Sequence, residues 1–196
     1  MYANKKAAQA AQMRTTLEQV ARELFETHGF AAVSAEELVA RAGVTRGALY
    51  HHYDGKQGLF EAVAEAAMQR LHDQVAHAAA LAPDPLAAVR LGMHRFLELG
   101  SAPRTQRVLF VDAPVVMGWH RWRQLDERYG LGLLKQGLDA AIAQRQMRAQ
   151  NAALAAQLLL SAMIEAAMMV ARSTRKTEMR AESERALDRV LQGLAS

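Results

Sequence analysis

Apolar residues recur at helical spacing along the chain. In the first such segment, residues 14–28, they lie at positions i, i+3, i+4, i+7 and i+8 and form one face of a helix. These residues are Leu17, Val20, Ala21, Leu24 and Phe25. Later segments repeat this period, and none shows the strict alternation that is typical of a half-buried strand. The pattern therefore predicts an all-α fold.

Glycine and proline residues divide this pattern into separate helices. Gly29 and Gly100 stand at predicted helix ends, whereas Pro85 stands at a predicted helix start. The predicted helices cover residues 14–28, 35–42, 45–53, 54–80, 85–100, 104–112, 119–145, 151–172 and 178–194.

Capping residues define the first four helices most closely. Thr15 and Ser34 each begin a capping box with a glutamate three residues later, and Thr45 and Asp54 are the expected N-caps of the next two helices. Only three residues, beginning with Gly43, separate the second helix from the third. A tight, glycine-containing turn between two short helices is typical of a helix-turn-helix unit.

The start of the third helix carries residues suited to contacts with DNA bases. A recognition helix in the major groove presents polar groups near its N-terminal end. Here these are Thr45 and Arg46, followed by Gly47, which allows the backbone to approach DNA closely. Arg46 could donate two hydrogen bonds to a guanine or hold a phosphate. The sequence thus predicts double-stranded DNA as a partner.

Charge supports this prediction by its distribution rather than by its total. The net charge of +4 and the sequence pI of about 9.7 are weak support on their own. Residues 1–14 hold three basic residues and no acid, and residues 41–56 hold three basic residues against one acid. Positive charge is therefore concentrated near the predicted recognition helix.

Other kinds of site are disfavoured by the composition. There is no cysteine, so disulfides and thiolate metal sites are excluded, and His94 and His120 have no partner at metal-ligand spacing. The sequence has no G-x-S-x-G, no H-E-x-x-H and no phosphate-binding glycine loop. We therefore expect no metal and no cofactor, and a protein that is not an enzyme.

The stretch from Ser34 to Leu59 resembles the signature of the TetR family of transcriptional regulators, and the resemblance extends over residues 14–63. It implies a three-helix DNA-binding head at residues 14–58 and a helical effector-binding and dimerisation domain at residues 59–196. Residues 1–13 are then expected to be a disordered basic arm, which either lies along a DNA groove or is simply solvated.

The resemblance also implies a set of DNA-contacting residues on and around the third helix. These are Ser34, Thr45, Arg46, Gly47, Tyr50, His51 and Lys56. Ser34 and Thr45 also have a simpler interpretation as helix caps alone, and the two roles are compatible.

A ligand pocket is expected among the helices of residues 86–170. Its candidate residues are Met93, Phe96, Phe110, Trp119, Trp122, Met163, Glu165 and Met168. Methionines and aromatic residues make adaptable apolar walls, but ordinary core packing explains each of them equally well. Glu165 is the only acid between Asn151 and Ala171, and it could anchor a ligand or form a salt bridge across a dimer.

The last two predicted helices have more apolar surface than a small monomer core needs, which favours a homodimer. The first of them, residues 151–172, is long enough to span a membrane. It contains Gln157, Ser161 and Glu165, so we interpret it as a buried or dimer-forming helix and expect no membrane partner.

Together these features predict a cytoplasmic repressor. We expect it to bind a palindromic operator as a homodimer and to be released by an unidentified small-molecule effector. A ligand-independent DNA-binding regulator and a helical protein-interaction module remain the alternatives.

Overall fold

The structure is a computed structural model that describes residues 2–195, with side chains from residue 10 onward. Within this range the chain forms α-helices and two π-helical segments and contains no strand, so the all-α prediction is confirmed. The α-helices are α1 Tyr2–His28, α2 Ala35–Ala42, α3 Arg46–Tyr53, α4 Gly55–Ala80, α5 Pro85–Gly100, α6 Pro103–Thr105, α7 Ala113–Val116, α8 Trp119–Asp126, α9 Gly132–Ala143, α10 Ala152–Arg172 and α11 Lys176–Ala195. The π-helical segments are Gln106–Asp112 and Glu127–Leu131.

Helix α1 begins earlier than the sequence pattern predicted. Residues 2–13, expected to be a disordered arm, continue the helix, while Met1 lies outside the described residues. The segment is rich in alanine and contains neither glycine nor proline, so its intrinsic preference is helical. Thr15 is consequently an interior residue rather than an N-cap, and its hydroxyl donates to the Ala11 carbonyl at 3.1 Å.

The turn between α2 and α3 follows the predicted capping pattern. The Ser34 hydroxyl accepts a hydrogen bond from the Glu37 amide at 3.0 Å, and the Thr45 hydroxyl accepts one from the Ala48 amide at 3.2 Å. Gly43 ends α2 with φ of 65°, a left-handed conformation that glycine adopts without steric cost. These caps fix the direction in which α3 leaves the turn.

Asp54 does not cap α4 as expected. It has φ of 57° and makes no side-chain capping bond. Its left-handed backbone ends α3 instead, because its own amide donates to the Tyr50 carbonyl at 3.2 Å.

An apolar core holds the first four helices together. Phe25, Phe30 and Phe60 form a cluster with ring centroids 5.1–5.9 Å apart, in which Phe60 meets both other rings edge to face. Leu38 on α2 and Leu49 on α3 are fully buried against this core. The outer faces of α2 and α3 are left to solvent.

Helix α4 belongs to both halves of the molecule. Its first turns supply Leu59 and Phe60 to the head core, and its later turns supply Met68, Leu71 and Val75 to the core shared with α5. At 1.5 Å per residue, its 26 residues span about 39 Å. A single rigid element therefore connects the head to the C-terminal helices.

The long helix predicted over residues 119–145 is interrupted. The π-helical segment Glu127–Leu131 separates α8 from α9, and helical structure ends at Ala143. A π-turn places one extra residue in the helix and changes which side chains face inward. A Cβ added at Gly130 in this segment would lie 3.3 Å from the Leu160 side chain on α10, so glycine suits the close approach of the two elements.

Helix α10 is buried on one side and exposed on the other. It packs against α5, α9 and α11 through residues such as Leu159, Leu160 and Met163. By length and composition it is apolar enough to cross a membrane, with 39% of its most apolar stretch buried. The exposed side accounts for much of the remaining apolar surface.

Candidate DNA-binding face and ligand cavity

Six of the seven predicted DNA-contacting residues lie on the surface of the head. They are Ser34, Thr45, Arg46, Gly47, Tyr50 and His51. The last five lie at the N-cap and along the exposed side of α3, and Ser34 caps the neighbouring α2. The arrangement presents hydroxyl, guanidinium, phenol and imidazole groups together on one short helix and its neighbour.

Arg46 is held by weak contacts that leave it available to a partner. Its Nη1 donates to Glu36 Oε1 at 2.9 Å, and its guanidinium lies 5.7 Å from the centre of the Tyr50 ring. Both members of the ion pair are well exposed, with side-chain exposures of 63% and 67%. Such surface pairs contribute little to stability, so the guanidinium can exchange Glu36 for another partner at small cost.

Lys56 is placed differently from the other six. Its Nζ donates to the carbonyls of Phe30 at 2.9 Å and Val33 at 2.8 Å, and lies 3.9 Å from the centre of the Phe30 ring. Partial burial lowers the pKa of its ammonium. Two of its three donors are thus used inside the protein, where they hold the loop that leads into Ser34.

Tyr53 packs inside the head, although it lies on the same short helix as Arg46 and Tyr50. It is buried, and its hydroxyl donates to Glu18 Oε1 at 2.6 Å, which joins α3 to α1. Burial, together with this bond, raises the pKa of the phenol to about 12. The side chain therefore ties α3 to α1 from within the head.

A cavity of about 350 Å³ opens among α4, α5, α9, α10 and the second π-helical segment. Its walls are mainly apolar. Four of the predicted pocket residues, Met93, Phe96, Phe110 and Met163, line it.

The other four predicted pocket residues do not line the cavity. Trp119 is 65% exposed, and Trp122 is buried elsewhere, where its indole N–H donates to the Leu109 carbonyl at 2.8 Å. Glu165 is exposed, and Met168 is half-buried but absent from the walls. Two residues along an α-helix correspond to about 200°, so Glu165 faces away from the cavity that Met163 lines.

The polar groups of the cavity were not predicted. Asp126, His72, Tyr129 and Gln136 line it, and Asp126 is only 3% exposed. Burial raises the pKa of the Asp126 carboxyl to about 6, although Arg123, whose Nη1 donates to Oδ2 at 2.9 Å, acts in the opposite direction. A sequence signal existed, because Asp126 lies one turn after Trp122 on an otherwise apolar stripe.

His72 has a defined orientation in the cavity wall. Its Nδ1 lies 2.7 Å from the Tyr129 carbonyl. A carbonyl can only accept, so Nδ1 carries the proton and Nε2 is an acceptor in the neutral ring. Together Asp126 and His72 give the cavity hydrogen-bond acceptors. Within residues 2–195 no group of three metal-ligating side chains is found.

An apolar stripe covers the outer side of α10. Leu154, Leu158 and Met169 are 57%, 60% and 49% exposed, and they follow one another at helical spacing with Ser161 and Glu165 between them. Val190 on α11 adds a further half-exposed apolar side chain. We call the residues on α10, from Leu154 to Met169, the α10 stripe.

Comparison with protein families matches both halves of the chain. Residues 18–63 match the family described as bacterial regulatory proteins of the tetR family, and residues 86–194 match the tetracyclin repressor-like C-terminal domain. The second match alone covers more than half of the chain.

Individual relatives agree with these matches. The transcriptional regulator AcrR of Shigella flexneri is 31% identical over 108 residues, which are 55% of this chain and 50% of AcrR. The chain thus spans about half the length of this curated relative. A crystal structure of a TetR-family regulator from Pectobacterium atrosepticum has a TM-score of 0.82 and 29% identity, with 96% of each chain covered.

A more distant structure shares the fold across nearly the whole chain. RolR, solved in complex with resorcinol, has a TM-score of 0.70 at 18% identity and covers 97% of this chain and 96% of its own. The fold, the capped helix-turn-helix and both domain matches lead to one conclusion: the chain belongs to the TetR family of helix-turn-helix transcriptional regulators.

Proposed function

We propose that this protein is a cytoplasmic repressor that binds a palindromic DNA operator as a homodimer and leaves it when a small molecule fills the cavity. The observation that carries the proposal is the exposed side of α3, which presents Thr45, Arg46, Tyr50 and His51 to solvent behind the Thr45 cap. The relatives matched by sequence are transcriptional regulators, and this argues against an enzyme.

We assign the DNA contacts to Thr45, Arg46, Gly47, Tyr50 and His51 on α3, and to Ser34 at the start of α2. Arg46 is suited to a guanine edge, because its fork of donors matches two neighbouring acceptors. Free amides at the start of α2 and the Ser34 hydroxyl suit a phosphate. Lys56 has an internal role in this proposal, since it holds the loop that positions Ser34.

The homodimer is proposed to form through the α10 stripe. Exposed apolar surface of this kind marks an interaction site, and the α10 stripe can pack against the same stripe of a second copy of the chain. A twofold dimer would present two α3 helices to half-sites about one helical turn apart. Glu165 lies on the stripe and away from the cavity, which favours its role in a salt bridge across the dimer over a ligand role.

Effector release is proposed to act through α4. The same helix carries Phe60 in the head core and His72 in the cavity wall. A ligand that binds better to one spacing of the two heads would shift the population of dimers by its differential affinity. The presence of a cavity favours this mechanism over ligand-independent regulation.

The proposal is tested by selecting operator DNA with the purified protein and measuring its affinity by fluorescence anisotropy. Arg46→Ala and Tyr50→Ala should each weaken operator binding by about tenfold or more, since a good base contact contributes roughly 1–3 kcal/mol. The unfolding temperature should be unchanged, because both side chains are exposed.

Arg175→Ala is the matched control. Arg175 is also an exposed, ion-paired arginine, but it lies at the start of α11. Operator binding by this variant should equal that of the parent. If Arg46→Ala and Tyr50→Ala also bind like the parent, the assignment of α3 to DNA is wrong.

A further inference from the structure

The cavity walls combine a large apolar surface with four polar side chains, those of His72, Asp126, Tyr129 and Gln136. Phe96, Phe110, Met93 and Met163 are nearly buried and define its apolar interior. Gln136 has an amide that can both donate and accept, whereas Asp126 and His72 offer acceptors to a ligand. Pockets of this type bind mainly through apolar contacts and select through a small number of polar groups.

Asp126 has an incomplete set of partners. Oδ2 accepts from Arg123 at 2.9 Å, whereas no hydrogen bond to Oδ1 is found among the described residues. Among the described residues no fully buried side-chain oxygen or nitrogen lacks a partner, so Oδ1 keeps some contact with solvent. A carboxylate can accept about four hydrogen bonds, which leaves room for a further donor. Since the residue is 3% exposed and lines the cavity, a ligand is the natural donor to Oδ1.

His72 adds acceptor character to the same cavity. Its Nδ1 proton is committed to the Tyr129 carbonyl at 2.7 Å, which leaves Nε2 to accept. The phenol of Tyr129 lies 3.2 Å from Glu65 Oε1, to which it donates. The two oriented wall residues therefore present acceptors, and the nearest phenol proton is already used.

From this arrangement we propose that the cavity binds a small, largely apolar molecule that presents an O–H or N–H donor to Asp126 and His72. The inference rests on the proposed function of the cavity as the effector site and names the ligand class. A carboxylate or phosphate is rejected, because it would place a second negative charge beside Asp126 in a poorly solvated space. The donor can come from a hydroxylated aromatic or from an amine.

The test uses three probes that share one two-ring apolar body: 1-naphthol, 1-naphthylmethylammonium and 1-naphthoate. Binding to the full chain is measured by isothermal titration calorimetry in the absence of DNA. At least one donor probe should bind, and naphthoate should bind about tenfold or more weakly than it does, as expected from the loss of a charge-assisted hydrogen bond. Binding of naphthol points to hydroxylated ligands, and binding of the ammonium probe points to amines.

Asp126→Asn keeps the shape of the side chain and removes its charge. It should lower the affinity for the bound donor probe by about tenfold or more and leave naphthoate no weaker than before. His72→Phe is a second variant, which should weaken the same probe if Asp126→Asn folds poorly. Asp139→Asn is the matched control, because Asp139 is an exposed aspartate on α9 that is paired with Lys135. It should change nothing.

Two results would overturn the inference: naphthoate binding as tightly as the donor probes, or donor affinities that neither Asp126→Asn nor His72→Phe reduces. Failure of both donor probes to bind would overturn it as well. The proposed function is tested separately, by adding the bound probe to the operator complex. Donor binding without any loss of operator affinity would contradict effector release while leaving the ligand class intact.

Discussion

Asp126 stands out among single residues because its charge is buried with one strong partner. Its pKa is raised from 3.8 to about 6, chiefly by burial. The folded protein therefore binds this proton more tightly than the unfolded chain does. Stability from this group is greatest at low pH and is lost as the pH rises from about 4 to about 6.

The loss of stability when Asp126 ionises gives a prediction for Asp126→Asn. The variant lacks the titration, so its stability relative to the parent should improve between pH 4 and pH 7.5 by about 2–3 kcal/mol, from 1.36 kcal/mol per pKa unit. Urea unfolding of both proteins at the two pH values measures this difference. The contributions of the other titrating groups are the same in both proteins and cancel when the two are compared. A relative stability that is the same at both pH values would show that folding does not raise the pKa of Asp126.

Glu36 gives a second prediction at the residue scale. Its Oε1 lies 2.9 Å from Arg46 Nη1, on the surface that we assign to DNA. Glu36→Gln frees the guanidinium and removes a charge that repels phosphate, so operator affinity should rise about two- to fivefold, in the range of an exposed ion pair. Fluorescence anisotropy at low salt measures this change.

Glu178→Gln is the control for that experiment, since Glu178 pairs with Arg175 on α11 at 3.0 Å. It should leave operator affinity unchanged. Equal or weaker binding by Glu36→Gln would mean that Arg46 does not need to leave Glu36 to meet DNA.

Among the elements, the short head helices were the most predictable from sequence. The capping contacts of Ser34, Gly43 and Thr45 are made with residues only a few positions away. Local chemistry was therefore enough to place α2 and α3. The start of α1 was missed because high helix propensity, without a cap, extends it back to Tyr2. The π-helical segment at Glu127–Leu131 was also missed, since it depends on packing between distant helices.

The sequence predicted those cavity-lining residues whose inward direction follows from helical spacing alone. Met93, Phe96 and Met163 lie on inward-facing stripes and line the walls. Glu165 is two positions from Met163 and faces outward, which the same period already implied. Asp126 and His72 were overlooked because charged or polar residues on a helix usually meet solvent, and their burial depends on neighbours far along the chain.

The exposed side of α10 gives a prediction at the element scale. Leu158→Glu places a charge in the middle of the α10 stripe, where dimerisation would remove it from water. The dimer should dissociate to a folded monomer, because Leu158 is 60% exposed and contributes little to the monomer core. Sedimentation equilibrium measures the molecular mass in solution.

Leu81→Glu is the matched control, since Leu81 is 73% exposed but lies at the end of α4. This variant should remain as dimeric as the parent. A Leu158→Glu protein with the mass of the parent would exclude the α10 stripe as the dimer interface.

At the scale of the whole molecule, the head and the C-terminal helices are joined by polar contacts as well as by α4. The Phe30 amide donates to Asp112 Oδ2 at 2.8 Å, and Arg121 pairs with Glu61 at 2.8 Å. Asp112 belongs to the same π-helical segment as Phe110 in the cavity wall. A change in the cavity thus has a short physical route to the head.

The proposal that two α3 helices read DNA together is tested by guanine methylation protection on a selected operator. We expect two protected regions, related by twofold symmetry and about one helical turn apart, and a loss of guanine protection in Arg46→Ala at a concentration that saturates the DNA. A single protected region, or an Arg46→Ala pattern identical to that of the parent, would contradict it.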